Sequence, residues 1–495
     1  MPSSTSPSSS EGDLPVDVEK HADPLPADHQ APHQSKEDGE PNDASPTEPA
    51  DDWQISPEPE PDILNTDADG MAGAVSRVLS RISTKSSWNP GPPPDGGKVA
   101  WLACLCGHFA IMNTWGFINS FGVFQAYYVT TLNRPPSDIS WIGSIQVFLT
   151  FFIGTFTGRM TDAGFCRPVL ICGTVFMTVG IFCTSAATQY WQLLLSQGIC
   201  MGIGSGFVFC PAVSTVSTYF SKKRSLAIGI TACGSVTGGL VFPAMARQLL
   251  PTVGFGWTVR AIGFVQLVTL LFAVAFMKSR LPPRRTGSLV EWGAFKELEY
   301  TFYAVGMFFN FWGVYFGFYY LAAFSRSTSV NPPLSYVDSL NMLLLLNGIG
   351  VVGRLLPNYL ADRIGPLNIM IPTCLVCGVA LLSWMAVHTP SQLYGWASIY
   401  GIVAGALQSL FPAGLSSLTT DLRKQGTRMG MVFTIVSFAV LTGNPIAGAI
   451  ISSMDGRYYG AQGFTGACLL VGMGLIASAR LVRMRRTGKG WKVKI

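Results

Sequence analysis

Two ionisable side chains, His108 and Arg354, stand inside long apolar runs of this sequence. A charge within a bilayer costs roughly 3 kcal/mol or more, so each such residue is a candidate for function. Arg354, placed about one turn from the end of its run, can give an organic anion its counter-charge. The alternative is a guanidinium that snorkels or bonds helix-end carbonyls. His108 lies near the middle of its run, where it either titrates or packs as a hydrogen-bonded core histidine. Uncharged candidates to line a central cavity are Asn113, Asn119 and Gln125 in the run of His108, then Gln146, Asn310, Tyr315, Tyr319, Asn347 and Gln408 in later runs. The same residue types also join helices through interhelical hydrogen bonds.

A second set of chemical groups lies between the runs. Asp162 and Asp362 follow two of them, beside Arg159, Arg167 and Arg363. A short acid at a helix end caps an N-terminus or pairs with arginine across the loop. Contacts that hold one conformation and break in another make these five gating residues; a static loop ion pair is the alternative. Glycines such as Gly229, Gly234 and Gly238 permit close helix approach, while Pro211, Pro412 and Pro445 mark kinks.

Other chemistries are excluded by pattern. Gly202-Ile203-Gly204-Ser205-Gly206 lies within an apolar run without a preceding strand, so it reads as helix packing and not as a dinucleotide loop. No Walker-type phosphate loop occurs, and no nucleophile, acid or metal-ligand set converges within the runs. Cys374 and Cys377 lack the second ligand pair of a zinc site. The expectation is a protein that is not an enzyme, with no cofactor and no metal.

The elements that position these groups follow from composition. Of 495 residues, 48% are hydrophobic and only 12% charged, about half the charge of a soluble domain. Residues 1–70 hold 18 of the 28 acids and only Lys20 and Lys36 among the basic residues. Residues 1–90 therefore read as a disordered acidic tail, and the basic excess elsewhere belongs to membrane loops and not to nucleic-acid binding. No cleavable signal peptide is expected at Met1. Residues 70–88 have an amphipathic basic pattern that either lies on a bilayer or forms a solvated linker. The cysteines, ten in apolar runs and Cys166 in a short loop, read as packing residues.

From Val99 onward, apolar runs of about 20 residues recur, the length a helix needs to cross hydrocarbon. They fall near 99–124, 138–158, 168–188, 192–216, 225–249, 258–278, 301–323, 337–358, 367–387, 393–415, 429–452 and 462–483. Assigning the basic residues of the membrane part to alternate sides puts 26 with the tail and five (Arg134, Arg247, Arg260, Arg326, Arg457) opposite. Both termini are then cytoplasmic. The text also echoes at an offset near 200: Gly158-Arg159-Met160-Thr161-Asp162 matches Asn358 to Gly365, Pro211 matches Pro412, and Arg224 matches Arg428. The predicted fold is an all-α membrane protein of twelve transmembrane helices in two six-helix halves. Its parts are the tail at 1–90, halves at 91–278 and 300–484, a cytoplasmic loop at 279–299 and a basic tail at 485–495.

Pro94-Asp95-Gly96-Gly97, Asn113-Thr114-Trp115-Gly116, Ser120 to Tyr128, Tyr219 to Gly229, Gly353-Arg354 to Gly365 and Gly443 to Gly448 together resemble the fungal monocarboxylate-transporter-like branch of the major facilitator superfamily. The resemblance covers roughly residues 94–484 and implies the major facilitator fold, with alternating access about a site between the halves. Asn119 stands where animal lactate carriers of the family have a lysine, and Gly350 where they have an aspartate one turn before the arginine. The resemblance thus implies transport of a small organic compound, with a proton as candidate co-substrate. Efflux of a secondary metabolite is favoured over uptake of a monocarboxylate or vitamin-like acid and over a flux-free sensor. The expected place is a multi-pass position in the plasma membrane or an internal membrane.

Overall fold

The computed structural model describes residues 91–134, 136–284 and 286–488, all within one compact unit, Met71–Ile495. The expectations for the acidic tail at 1–90, for the amphipathic stretch 70–88 and for residues 489–495 of the basic tail lie outside the described residues.

Among the described residues every regular element is helical. Helix α1 starts at Gly97–Ile111, passes through a π-turn at Met112–Gly116, resumes at Phe117–Asn119 and continues as Phe121–Leu132. Helix α2 comprises Pro136–Phe152 and Gly154–Met160, α3 is Cys166–Ala186 and α4 is Tyr190–Tyr219. Helix α5 starts at Arg224–Ala232 and ends at Gly254, beyond which α6 spans 255–276. Then follow α7 (Leu298–Ser325), α8 (Tyr336–Ile364), α9 (Pro366–Ala386), α10 (Pro390–Leu418), α11 (Gln425–Ser453) and α12 (Tyr459–Thr487).

Local sequence sets these boundaries. Ser335 accepts a hydrogen bond from the Asp338 amide to start α8, and Thr389 with Gln392 forms a capping box before Pro390. Gly164 and Gly254 adopt φ of 93° and 76°, a region open to glycine, and break two otherwise continuous rods of 49 and 53 residues. Cys166, expected in a loop, opens α3, because the turn is completed within the five residues Thr161–Phe165. Nine helices among the described residues are long and apolar enough to cross a bilayer. Val175, Val179, Val268, Val376 and Ile399 lie on their outer faces, with Val268 67% exposed. In water such a surface would drive association; against acyl chains it is solvated.

Where α2 crosses α11 and α5 crosses α8, the two parts of the unit meet. Under the 200-residue offset these are one pair seen twice. The α2–α11 approach is backbone to backbone: a Cβ added at Gly158 would lie 2.0 Å from the Gly426 carbonyl oxygen. At the α5–α8 crossing, a Cβ at Gly229 would lie 2.4 Å from the Arg354 carbonyl oxygen. Gly234 and Gly238 instead seat α5 on α1, against the carbonyls of His108 and Met112. Pro211 and Pro412 are buried at matching places in α4 and α10, whereas Pro445 in α11 faces outward.

The α2–α11 approach is testable. The hydroxyls of Thr155 and Thr434 meet at 2.8 Å across it, so a Thr155→Cys, Thr434→Cys pair is expected to cross-link under mild oxidation. Adding Gly158→Val should cut the yield at least fivefold, as read by gel shift after cleavage of the intervening chain. An unchanged yield would show that the helices tolerate separation there.

Candidate functional site

Helices α1, α2, α4 and α5 on one side and α7, α8 and α10 on the other enclose a cavity. Its walls are mainly aromatic: Trp115, Phe151 and Phe209 from one half face Phe311, Tyr315 and Phe411 from the other. Trp115 is carried by the π-turn of α1, a distortion that recurs at functional positions. Its indole lies parallel to the Tyr315 ring, 3° between planes and 6.1 Å between centroids. Phe209 and Phe411 both pack on Phe433 of α11, with ring centroids 5.0 and 5.2 Å apart.

Polar groups reach this cavity at few points: Thr231, Ser235, Gln408 and the guanidinium of Arg354. Arg354 is 2% exposed. It lies ten residues before the end of α8 at Ile364, deeper than the one turn expected, because the helix runs six residues past the apolar stretch. Its Nη1 donates to the Gly350 carbonyl at 3.1 Å and its Nη2 to Gln408 Oε1 at 3.3 Å. Both acceptors are neutral, and among the described residues no carboxylate lies within ion-pair distance of it. Gly350 shapes this arrangement, since a Cβ there would meet Arg354 Nη1 at 2.6 Å.

The other sequence candidates separate into two groups. Tyr315 and Gln408 line the cavity with Arg354. His108 does not: its Nδ1 meets the Ile230 carbonyl at 2.9 Å and its Nε2 the Thr237 hydroxyl at 3.1 Å, so both nitrogens tie α1 to α5. Asn113 donates to the Phe109 carbonyl and Thr269, Asn119 to the Ser235 carbonyl, Asn310 to the Gly306 carbonyl and Asn347 to the Leu343 carbonyl. Gln146 is buried in α2 with neither amide atom hydrogen-bonded, and Tyr319 lies on α7 away from the cavity walls. Trp115, Thr231 and Ser235 complete the site and were not singled out as cavity residues from sequence. Trp115 reads there as one more apolar residue, and its only signal is the small polar cluster around it.

The loop acids reach across to helices distant in sequence. The Asp162 carboxylate accepts from the amides of Gly426 (2.9 Å) and Thr427 (2.7 Å) and from the Thr427 hydroxyl (2.6 Å), capping α11. Asp362 accepts from the amides of Ser225 and Leu226, each at 2.8 Å, capping α5. Both use orphan N–H groups at the positive end of a helix. The neighbouring arginines go elsewhere: Arg159 donates to the carbonyls of Arg284 and Gly287, Arg363 bonds and stacks on Tyr359, and Arg167 is exposed.

Residues 103–422 match the family model described as Major Facilitator Superfamily. The chain belongs to the major facilitator superfamily. It is 64% identical over 390 residues to an MFS-type transporter of Gibberella zeae, across 79% of this chain and 88% of that relative. It is 33% identical over 404 residues to the aspyridones efflux protein apdF of Emericella nidulans, across 81% and 82%. The fold is also that of the E. coli fucose:proton symporter FucP, with a TM-score of 0.59 at 15% identity over 77% of this chain and 98% of that one. The protein is thus an integral, multi-pass membrane transporter of this superfamily.

In such a transporter the two capped helix starts make a specific prediction. Cys210 is buried beside the α2–α11 crossing, its sulfur 3.4 Å from where a Gly158 Cβ would lie. Asp162→Asn keeps the shape and one acceptor but removes the charge, a loss of about 1.4 kcal/mol that corresponds to tenfold. Alkylation of Cys210 by N-ethylmaleimide, followed by peptide mass spectrometry, should accelerate about tenfold in Asp162→Asn and less in Thr427→Ala.

Proposed function

We propose that this chain is a twelve-span carrier that exports a small, planar organic anion, a secondary metabolite, by alternating access. Counting the rods broken at Gly164 and Gly254 as two spans each, and adding Leu298–Ser325 to the nine apolar helices, supports twelve. The halves are then 91–278 and 300–484 about the loop 279–299. The basic asymmetry supports cytoplasmic termini and places the Asp162 and Asp362 caps on the cytoplasmic side. Asp162 and Asp362 form its inner gate, and the loop arginines Arg159, Arg167 and Arg363 flank it.

The observation that carries the substrate class is the Arg354 guanidinium, buried on an aromatic cavity between the halves with no carboxylate partner among the described residues. A buried charge without its counter-ion is costly, and an anion arriving in the cavity supplies it. The parallel Trp115 and Tyr315 rings give the cavity aromatic faces on which a conjugated ring would stack. Asn119 and Gly350 bring no charge to the site, which favours a larger, delocalised anion over lactate. The Asp95-Gly96-Gly97 motif supports the monocarboxylate-transporter-like branch, and the name of the aspyridones efflux protein supports the outward direction. The membrane in this reading is the plasma membrane, with a proton exchanged for the substrate.

Calorimetry on the purified protein tests this with three probes. 1-Hydroxy-2-naphthoate, planar and anionic, should bind at least tenfold more tightly than 1-naphthol or lactate. Arg354→Gln should remove that advantage, and Arg354→Lys should retain part of it, because lysine keeps the charge but not the planar fork. Stronger binding of lactate would return the protein to the monocarboxylate reading. Equal binding by both naphthalene probes, unmoved by Arg354→Gln, would leave Arg354 a packing residue.

A further inference from the structure

The segment that leads into α1 is bound to the start of α5. Asp95 has φ of 53°, a left-handed conformation that costs a non-glycine residue energy. In that conformation its Oδ1 accepts from the amides of Ser221 (2.5 Å) and Lys222 (2.6 Å), and its own N–H donates to the Tyr219 carbonyl at 3.2 Å. Arg280, just beyond α6, closes the knot by donating to the carbonyls of Thr218 and Gly91. The turn fixed in this way is the one that delivers the Ser225 and Leu226 amides to Asp362.

The second half repeats the device with different chemistry. Glu297, immediately before α7, receives Arg428 Nη1 at 3.0 Å and Nη2 at 2.5 Å, and Glu291 receives Lys424 at 2.5 Å. The hydrogen-bonded Arg428 guanidinium holds the Glu297 carboxyl below the usual carboxylate range. Arg428 and Lys424 flank the Gly426 and Thr427 amides that Asp162 caps. Each fifth helix therefore has its start gripped twice: by an acid ahead of the first helix of its own half, and by a loop acid of the other half.

We infer that Asp95, and Glu291 with Glu297, are positioning residues that clamp the starts of α5 and α11 to their own halves, so that the inner gate parts only at Asp362 and Asp162. A helix start not clamped to its own half would present its amides at a varying position, and the cap of the other half would close on it less often. Clamped to its own half, each start stays in place and presents its amides at a fixed position for reclosure. The inference rests on the gate reading above.

Native thiols report on it in the full-length protein. Cys233 lies on α5 between Gly229, which touches Arg354, and Gly234, and it is 9% exposed. Asp95→Gly removes the carboxylate while tolerating the positive φ, and Asp95→Asn removes only the charge. N-ethylmaleimide should alkylate Cys233 about fivefold faster in Asp95→Gly, and by less in Asp95→Asn, as for loss of one helix cap. The deciding comparison is additivity. Asp95→Gly with Asp362→Asn should react no faster than Asp362→Asn alone. The effects of Asp95→Gly on Cys233 and of Asp162→Asn on Cys210 should simply coexist in one protein. Glu297→Gln should show the mirror pattern, non-additive with Asp162→Asn at Cys210. Full additivity of Asp95→Gly with Asp362→Asn overturns the clamp, as does a matching rise at Cys374 and Cys377, which are buried in the other half and report unfolding. No response of Cys233 to Asp362→Asn would instead overturn the gate reading itself.

Discussion

A carboxylate of one half seated on the helix N-terminus of the other is the contact on which this architecture turns. The first amides of α5 and α11 have no intrahelical acceptor, and they open where helices from both halves crowd out water. Each must therefore be met by a side chain, and Asp362 and Asp162 meet them. The glycine contacts at Gly158 and Gly229 follow from the same requirement, because an aspartate reaches an opposing amide only where the backbones nearly touch. Each such cap contributes on the order of 1–2 kcal/mol. A contact of this size holds one state yet yields to the differential binding energy of a small ligand, the balance that a population shift between two conformations needs.

The cavity imposes the complementary condition. An aromatic enclosure with one guanidinium offers large dispersion contacts and a single fixed charge, so on the proposed reading it would select by shape and delocalisation more than by hydrogen-bond count. Gln408 and the Gly350 carbonyl orient the guanidinium while leaving its charge uncancelled. The polar residues of α1 do not share this work. His108, Asn113 and Asn119 are engaged by α5, α6 or their own helix, which fixes α1 firmly enough to bear Trp115 on a distorted turn.

Sequence exposed the part of this design that depends on local pattern. Apolar runs of bilayer length, the echo of Asp162 in Asp362 and the lone Arg354 were all visible, since hydropathy and repeats are properties of neighbouring residues. The partners of those residues were not. For the loop acids the sequence left helix capping and pairing with nearby arginines both open; the mates are amides more than 130 positions away, and a backbone amide carries no sequence signature. Asp95 was visible only as part of a family-like motif for the same reason. Trp115 was obscured because an indole in an apolar run reads equally as lipid-facing, core or cavity, and the π-turn that aims it inward arises from packing.

Helix α8 joins the two conditions. Arg354, Asn358 and Asp362 recur every four residues along it, which keeps them near one face. The first meets the cavity, the second bonds the Arg354 carbonyl and Ser409, and the third caps α5. Gly229 of α5 presses on that same carbonyl. An anion drawing the guanidinium into the cavity would therefore load the turn against which α5 is packed, two turns from the cap that holds the halves together. Neither a soft loop nor a chain of side chains is needed for this coupling: a rigid helix bearing the charge at one level and the cap at another transmits displacement directly. On the proposed reading, occupancy of the site and closure of the gate would be two readings of the position of one helix.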